Sequence, residues 1–322
     1  MIHTRALTRT FRTKGTTVEA VRGLDIDVEA GELLAFLGPN GAGKSTSLRM
    51  LTTLLLPTSG SATVAGCDIV SDPRGVRRRI GYVGQGRSAG VGQRVRDELV
   101  TQGRCYGMSH AEARTRADEL LEVLELDGTA DREVEKLSGG QQRRLDIAMG
   151  LIHRPALLFL DEPSTGLDPH SRANLWEHIA RLRAENGMTI VLTTHYLDEA
   201  DAIADRVVVV DHGTVIADGT SDELKGKVSG DQVTFTTEAA ESARRAAAAV
   251  ERVPSAHAID TDGTTVRMRV ERGDAVLPEL LRVLGAAGVE PLTVQVQRPT
   301  LDDVFLTLTG RSLRDGDQEG EK

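Results

Sequence analysis

Residues 38–45 read GPNGAGKS, in which two glycines bracket four residues and precede a lysine and a serine. An apolar run, residues 32–37, comes before them, and a helix-like segment, residues 45–51, follows. At such a strand-to-helix turn, backbone N–H groups and the helix N-terminus can hold a phosphate chain. Lys44 would neutralise the β and γ phosphates, and the Ser45 hydroxyl would ligate Mg²⁺. The expected nucleotide-binding residues here are Gly38, Pro39, Asn40, Gly41, Ala42, Gly43, Lys44, Ser45 and Thr46.

Two adjacent carboxylates, Asp161 and Glu162, close a second apolar run, residues 157–160. Open α/β sheets bind ligands at the carboxyl ends of their strands. Neighbouring acids raise each other's pKa, so the pair is costly unless it has a partner such as a bound Mg–nucleotide. We expect Asp161 to face the metal, usually through water, and Glu162 to polarise the attacking water. The alternative is a solvated strand end, which the preceding apolar run disfavours.

A third segment, residues 137–144, reads LSGGQQRR. Ser138, followed three residues later by Gln141, is a capping-box pattern that predicts a helix start. Gly139 and Gly140 would leave backbone N–H groups open to an incoming anion, which indicates a second phosphate-binding helix terminus. Taken alone, however, this segment is better explained as an ordinary capped helix.

Composition limits the class of protein that can carry these motifs. The 322 residues suffice for two domains. A net charge of −9 and an aromatic content of 3% disfavour nucleic-acid binding. Cys67 and Cys105 lie far apart without CxxC spacing, which fits a reduced cytosolic compartment rather than a disulfide framework. No apolar run approaches the roughly 18 residues that cross a bilayer, so another chain would have to provide any membrane span.

The elements that must position these motifs follow an α/β pattern. Apolar runs alternate with helical segments, which predicts a mainly parallel sheet covered on both faces. Between about residues 85 and 154 the sequence becomes charged and rich in Ala and Leu, with glycines at 84–92, which indicates an inserted helical subdomain. The expected buried strands are residues 33–37, 156–160, 188–194 and 206–210.

The composition changes after Thr220, and a new order of elements begins. Strand, helix, strand, strand, helix, strand is the ferredoxin-like arrangement. Leu292, Val294 and Val296 alternate with polar residues, as in a half-exposed strand. The expected strands are residues 233–236, 256–260, 265–270 and 292–297, and the expected helices are residues 241–253 and 275–287.

Five motifs occur in the order found in ABC-type ATPase subunits: GPNGAGKS, LSGGQQRR, LLFLDEP, STGLD and a histidine, His195, after a strand. The chain resembles an ABC transporter nucleotide-binding subunit, and LSGGQ is that family's most specific marker. The segment at 298–310, RPTLDDVFLTLTG, is similar to the daunorubicin-resistance, DrrA-type drug-efflux ATPases. The resemblance implies an α/β P-loop NTPase ABC cassette over residues 1–225. The order of elements after Thr220 predicts a small C-terminal α+β ferredoxin-like domain at 226–310, and we expect residues 311–322 to form a disordered tail.

The resemblance also implies roles for single residues. Phe11 lies where the family has an aromatic that stacks on adenine, although a core phenylalanine is the alternative. Gln85 matches the glutamine that reaches Mg²⁺ and the attacking water, and it begins the loop that senses the membrane partner in the family. The glycine-rich residues 86–90 of that loop depart from the family pattern. Residues 164–168 match the loop through which two active sites communicate, and His195 matches the switch histidine on the γ-phosphate. The implied catalytic residues are Glu162, His195, Gln85 and Lys44, and the implied metal ligands are Ser45, Gln85 and Asp161.

The family resemblance implies two protein partners, and the negative net charge predicts no nucleic-acid partner. In a head-to-tail dimer of two copies, each ATP would meet Lys44 of one chain and Ser138, Gly139, Gly140 and Gln141 of the other. The other partner would be a multi-span membrane permease, so the chain would lie peripherally on the cytoplasmic face of the membrane.

The expected function is to bind and hydrolyse ATP, with Mg²⁺, and so to energise export of a hydrophobic drug or antibiotic. One alternative is an importer ATPase with a regulatory C-terminal domain. A second is a non-transport ABC ATPase, which a single cassette without sustained heptads disfavours. A third, an ATP-sensing protein without turnover, is disfavoured by the presence of both Glu162 and His195.

Overall fold

The computed structural model describes residues 1–13, 15–90, 92–226, 230–253 and 255–310. The tail predicted at 311–322 lies outside the described residues. The chain divides into two compact units, the first running from Met1 to Ser221 and the second starting at Asp222. Within the described ranges, no helix combines the length and the apolar character that a membrane span requires.

The first unit contains eleven described strands and seven helices. In chain order the strands are β1 (Ile2–Thr13), β2 (Thr16–Leu24), β3 (Asp27–Val28), β4 (Leu33–Leu37), β5 (Ser59–Val64), β6 (Cys67–Asp68), β7 (Ile80–Val83), β8 (Leu157–Asp161), β9 (Thr189–Thr194), β10 (Arg206–Asp211) and β11 (Thr214–Gly219). The helices are α1 (Lys44–Leu51), α2 (Pro73–Arg79), α3 (Val95–Cys105), α4 (His110–Val123), α5 (Gly139–Leu151), α6 (Pro169–Asn186) and α7 (Leu197–Ile203), and α8 (Ser221–Gly226) follows at the boundary between the units.

The central sheet of the first unit has the strand order β11-β10-β4-β9-β8-β7. All its pairs are parallel except the edge pair β10–β11. Every residue of β4, β8 and β9 is buried, as the continuous apolar runs predict for strands covered on both faces. Strand β8 lies one residue further along the chain than the predicted 156–160: it begins at Leu157, and Asp161 still pairs with Thr193 of β9. The predicted mainly parallel sheet is therefore confirmed.

A second, antiparallel sheet packs on this core, and the sequence analysis did not predict it. Its strands follow the order β2-β1-β5-β6, and β3 pairs with β1. Val21 and Val64 of this sheet share one apolar cluster with Phe36, Leu48 and Phe159 of the parallel sheet and its helix α1. The sequence of β1 contains many polar residues and shows neither a continuous apolar run nor strict alternation. Its pairing with β2 and β5 also has register shifts, which a simple alternating pattern does not predict.

Three helices, α3 to α5, occupy the described stretch between β7 and β8, together with two 3₁₀ turns, Asp127–Thr129 and Val134–Lys136. Helix α4 begins with a capping box, in which Ser109 and Glu112 each hydrogen-bond the other's backbone N–H. Apolar residues spaced three and four apart on α4, such as Ala117, Leu120 and Leu121, are buried. The helical character expected here is thus present.

The second unit has the strand order β13-β14-β12-β15, and every pair is antiparallel. This is the ferredoxin-like order that the sequence predicts. Its core joins Phe235 and Met268 of the sheet to Ala246 and Leu280 of the two helices. The last helix, which the sequence analysis did not predict, begins at a capping box formed by Thr300 and Asp303. The elements are β12 (Asp231–Thr236), α9 (Ala240–Val250), β13 (His257–Asp262), β14 (Thr265–Val270), α10 (Gly273–Ala286), β15 (Thr293–Gln297) and α11 (Leu301–Thr309).

Candidate functional site

The GPNGAGKS segment forms the turn between β4 and α1, as predicted from its flanking runs. Gly43 caps the helix with a φ of 104°, a left-handed conformation that favours glycine. A cavity of about 150 Å³ opens at this turn. Lining this cavity are Asn40, Gly41, Ala42, Gly43, Lys44, Ser45 and Thr46, together with Ala20, Gln85 and Glu162.

Two glycines of the turn are required by close packing. A Cβ on Gly38 would lie 2.1 Å from the carbonyl oxygen of Val210, and one on Gly43 would lie 2.4 Å from that of Ala20. Both partners are backbone atoms of neighbouring strands, which cannot move aside as a flexible side chain would. Backbone atoms of β10 in the parallel sheet and of β2 in the antiparallel sheet therefore fix the shape of the loop.

Gly43→Ala is expected to lower the free energy of unfolding by about 2 kcal/mol or more, because it combines left-handed strain with a backbone clash. Urea denaturation measures this change, and ATP titration should show weaker binding by the distorted loop. Gly128→Ala is the matched control, since Gly128 has open space around its Cβ position and an ordinary φ. A Gly43→Ala protein as stable as the control would show that the loop is not held in this conformation.

Lys44 is only 3% exposed. Its Nζ donates to the carbonyl oxygens of Gly38, at 2.6 Å, and Pro39, at 3.0 Å. It also lies 3.9 Å from Glu162 Oε1. The ammonium group is thus held against the inner side of the phosphate-loop turn, close to the acidic end of β8.

The three predicted metal ligands lie together. Asp161 Oδ1 accepts hydrogen bonds from Ser45 Oγ, at 2.8 Å, and from Thr193 Oγ1, at 2.7 Å. Gln85 Nε2 donates to Ser45 Oγ at 3.2 Å. The other carboxylate oxygen of Asp161 is buried without a hydrogen-bond partner. Because an unpaired buried oxygen is costly and Mg²⁺ prefers oxygen ligands, this group of side chains fits a Mg²⁺ ion.

Glu162 lines the same cavity, with a φ of 46° that is unusual for a non-glycine residue. Its N–H donates to Thr193 Oγ1 at 2.9 Å, and its Oε2 lies 3.5 Å from His195 Nδ1. The His195 ring lowers the pKa of the Glu162 carboxyl, burial opposes that shift, and the positive charge of Lys44 adds to it. Glu162 is therefore a carboxylate at neutral pH, the form that can accept a proton.

The LSGGQQRR segment starts helix α5 with the predicted capping box. Ser138 Oγ accepts from the Gln141 N–H at 3.3 Å, and Gln141 Oε1 accepts from the Ser138 N–H at 3.0 Å. Ser138 and Gly139 are exposed. None of Ser138, Gly139, Gly140 and Gln141 lines the cavity at the phosphate loop of the same chain.

Phe11 is not brought into that cavity either. It lies on β1 opposite Val18 of β2, and the guanidinium carbon of Arg9 lies 4.6 Å from its ring centroid. The ring is only partly buried, so it is not the core phenylalanine of the alternative interpretation. Adenine stacking on Phe11 stays a prediction.

Arg143 joins the separate segments of the site, and sequence reasoning missed it. Its nearly buried guanidinium donates to the carbonyl oxygens of Gly84, at 2.7 Å, Pro163, at 2.7 Å, and Asp161, at 3.2 Å. Helix α5 is thereby tied to the residue before Gln85 and to the end of β8. The sequence carries little signal for this role, because Arg143 lies between Gln142 and Arg144 in a polar run.

Arg143→Ala is expected to lower the free energy of unfolding by about 3 kcal/mol, because three carbonyl oxygens, two of them in buried hydrogen bonds, lose their donor. Chemical denaturation of the purified variant measures the loss. Arg114→Ala, at an exposed position of α4, is the control and should change stability by less than about 0.5 kcal/mol. Similar small changes in both variants would contradict the structural role of Arg143.

Two family models match the chain. The ABC transporter model matches residues 21–165, which contain the phosphate loop, the LSGGQQRR segment and the acidic end of β8. A model described as the C-terminal domain of DrrA1-3-like ATP-binding proteins matches residues 219–309, which contain the four-stranded sheet of the second unit. The first match thus covers part of the first unit, and the second covers most of the second unit.

Individual relatives span nearly the whole chain. It is 44% identical over 297 residues to the daunorubicin resistance ATP-binding protein DrrA3 of Streptomyces coeruleorubidus, covering 92% of this chain and 93% of the relative. It is 41% identical to the Nod factor export ATP-binding protein I of Rhizobium meliloti (strain 1021), covering 92% and 85%.

A solved structure, the dimeric ATP-binding cassette MJ0796 in a post-hydrolysis state bound to ADP and Pi, superimposes with a TM-score of 0.63 at 27% identity. The match covers 68% of this chain and 98% of that one. The chain therefore resembles an ABC cassette in its fold as well as in its sequence. The chain belongs to the DrrA-type ATP-binding proteins of the ABC transporter family, and its activity is ATP hydrolysis.

Proposed function

We propose that this ATPase energises export of a hydrophobic drug or antibiotic through a separate membrane permease. The observation that carries the proposal is similarity along both units to proteins named for daunorubicin resistance and Nod factor export. An importer ATPase or a non-transport ABC ATPase would not be expected to match resistance and export proteins over nine tenths of its length.

The phosphate loop is the proposed seat of the ATP phosphates. Its N–H groups at the start of α1, with Lys44, would neutralise the β and γ phosphates. Ser45, Gln85 and Asp161 would hold Mg²⁺, which supplies charge neutralisation of the phosphates during transfer. Phe11 would stack on the adenine ring, as its place upstream of the loop suggests.

Glu162 and His195 are the proposed catalytic pair at the γ-phosphate end. The Glu162 carboxylate would orient the attacking water and accept its proton, and its lowered pKa keeps it ionised for that role. His195, 3.5 Å from Glu162, would hydrogen-bond the γ-phosphate. Thr193 would orient Glu162 and Asp161, because its Oγ1 accepts from the Glu162 N–H and donates to Asp161 Oδ1.

We further propose that two copies form each complete site. The exposed start of α5 presents N–H groups that do not face the chain's own cavity, so a second copy could bring them to the bound phosphates. Hydrolysis would remove the γ-phosphate that both copies hold, and the dimer would open. The dimeric state of MJ0796 supports this arrangement.

The proposed location is the cytoplasmic face of the cell membrane, bound to the permease and not to nucleic acid. The test is to purify the tagged chain from gently solubilised native membranes and to identify what accompanies it. A stoichiometric multi-span membrane protein is expected. Ribosomes or DNA in its place, with the chain absent from membranes, would overturn the transport proposal.

The direction of transport needs a second experiment. Cells lacking this chain should accumulate more of a fluorescent hydrophobic antibiotic than wild-type cells, and the intact gene should reverse the effect. The Lys44→Ala gene, the inactive control, should not. Lower accumulation in the deletion strain would favour import instead.

A further inference from the structure

Two helices begin directly after segments of the hydrolysis site. Helix α6 follows residues 164–168, and Asp168 caps it by accepting from the Ser171 N–H. In its first turn the Arg172 N–H donates to the Asp168 carbonyl oxygen at 3.0 Å. Helix α7 starts two residues after His195. A link between these two helix starts would connect residues 164–168 to the histidine.

Glu199 of α7 supplies one half of such a link. Its side chain is 4% exposed, and its Oε2 accepts from Thr194 Oγ1 at 3.0 Å. Its other oxygen, Oε1, is buried without a hydrogen-bond partner. Arg172 Nε, also buried without a hydrogen-bond partner, lies 3.5 Å away. Two complementary unsatisfied groups of opposite charge therefore face each other across the helix starts.

Arg172 also contacts Tyr196, the residue that follows His195. Its guanidinium carbon lies 4.1 Å from the centroid of the Tyr196 ring, a cation–π contact. The Tyr196 ring centroid lies 4.2 Å from that of His195. The Tyr196 N–H donates to Thr194 Oγ1 at 2.9 Å. The two neighbours of His195, Thr194 and Tyr196, thus contact Glu199 and Arg172, respectively, which are the two members of the ion pair.

We propose that Arg172 and Glu199 are positioning residues that couple residues 164–168 to His195 in the same chain. Among the described residues, the hydrogen bonds, ion pair and ring contact of Arg172 and Glu199 involve neither the phosphate loop nor the expected metal ligands, so the pair should affect turnover and not ATP binding. The inference rests on the proposed hydrolysis of ATP at this site and not on which compound is exported. If the wild-type chain does not hydrolyse ATP, the proposed function fails; if only the variants behave unlike the expectation, the role of the ion pair fails.

The test is steady-state ATP hydrolysis by the full chain, wild type against Arg172→Ala, Glu199→Gln and the double variant. Each single change should lower kcat about tenfold, because displacement of a catalytic group by less than an ångström is costly, and should leave KM for ATP within about twofold. The double variant should be no slower than the slower single variant, since both changes remove one shared contact. Arg172→Lys, which keeps the charge but not the planar stack, should recover part of the rate.

Arg183→Ala is the matched control. Arg183 lies near the other end of α6, pairs with Asp205 and is 28% exposed, against 29% for Arg172. Its kcat should stay within about twofold of wild type. The proposal would be overturned if kcat stayed unchanged in both single variants or if only KM changed. It would also be overturned if the losses in the double variant were additive, or if Arg183→Ala lost as much activity as the test variants.

Glu199→Gln guards against a folding artefact. Its amide has the shape of the carboxylate and keeps an acceptor for Thr194, and the partly exposed Arg172 guanidinium keeps its contact with the Tyr196 ring, so only the charge of the pair is lost. Thermal unfolding should show it close to wild type. If it too fails to fold, the position serves folding rather than positioning, and the proposal is wrong.

Discussion

Glu162→Gln is expected to abolish ATP turnover while ATP remains bound. The amide keeps the shape of the side chain but has no negative charge and cannot accept the proton of the attacking water. Loss of a general base lowers rates by about 10²- to 10⁴-fold. Phosphate release measures turnover, and equilibrium dialysis with labelled ATP measures binding. Binding should hold or tighten because a negative charge near the γ-phosphate is removed.

The matched control is Glu185→Gln, the same exchange at an exposed position of α6. It should hydrolyse ATP at the wild-type rate. A Glu162→Gln enzyme that stays as active as this control would show that another group activates the water, and the role assigned to Glu162 would be wrong.

Lys44→Ala should remove most of the affinity for nucleotide. Hydrogen bonds to a charged partner contribute about 1.5–3 kcal/mol each, so loss of the ammonium predicts ATP binding weaker by about 10- to 100-fold. In the structure, Lys44 already donates to the carbonyl oxygens of Gly38 and Pro39. Because binding ATP would exchange these hydrogen bonds for bonds to phosphate, the net loss of affinity could be as small as about 10-fold. Titration calorimetry with ATP measures the change.

Lys136→Ala is the control for this second prediction, because that lysine is 67% exposed and pairs only with the neighbouring Glu133 among the described residues. Its affinity for ATP should match wild type. If the two variants bind ATP equally well, the phosphate loop does not depend on Lys44 and the proposed nucleotide geometry fails.

Much of the site could be predicted because its signals are local in sequence. The turn at 38–45 requires glycines and a flanking strand and helix, all visible within twenty residues. The capping box of Ser138 and Gln141 spans four residues. The acidic end of β8 follows directly from its apolar run. Short-range patterns of this kind specify their own geometry.

The missed features depend on contacts between distant segments. Thr193 orients Asp161 and Glu162 across 32 and 31 residues of chain, and only the parallel register of β8 and β9 brings it there. Arg143 reaches Gly84 across 59 residues. The antiparallel sheet was missed because β1 has polar residues and irregular register. No single segment of the chain encodes such contacts.

The composite site is the central claim, and the Glu162→Gln protein tests it most directly, because bound ATP would keep its dimer closed. Light scattering of that variant, with saturating Mg–ATP and with ADP as control, reports the mass of the particle. The expected mass is twice that of the 34.6 kDa chain with ATP and that of a single chain with ADP. Adding Gly139→Glu, which places a carboxylate at the exposed start of α5, should prevent pairing. A single-chain particle at saturating ATP would contradict the claim that two copies share each nucleotide.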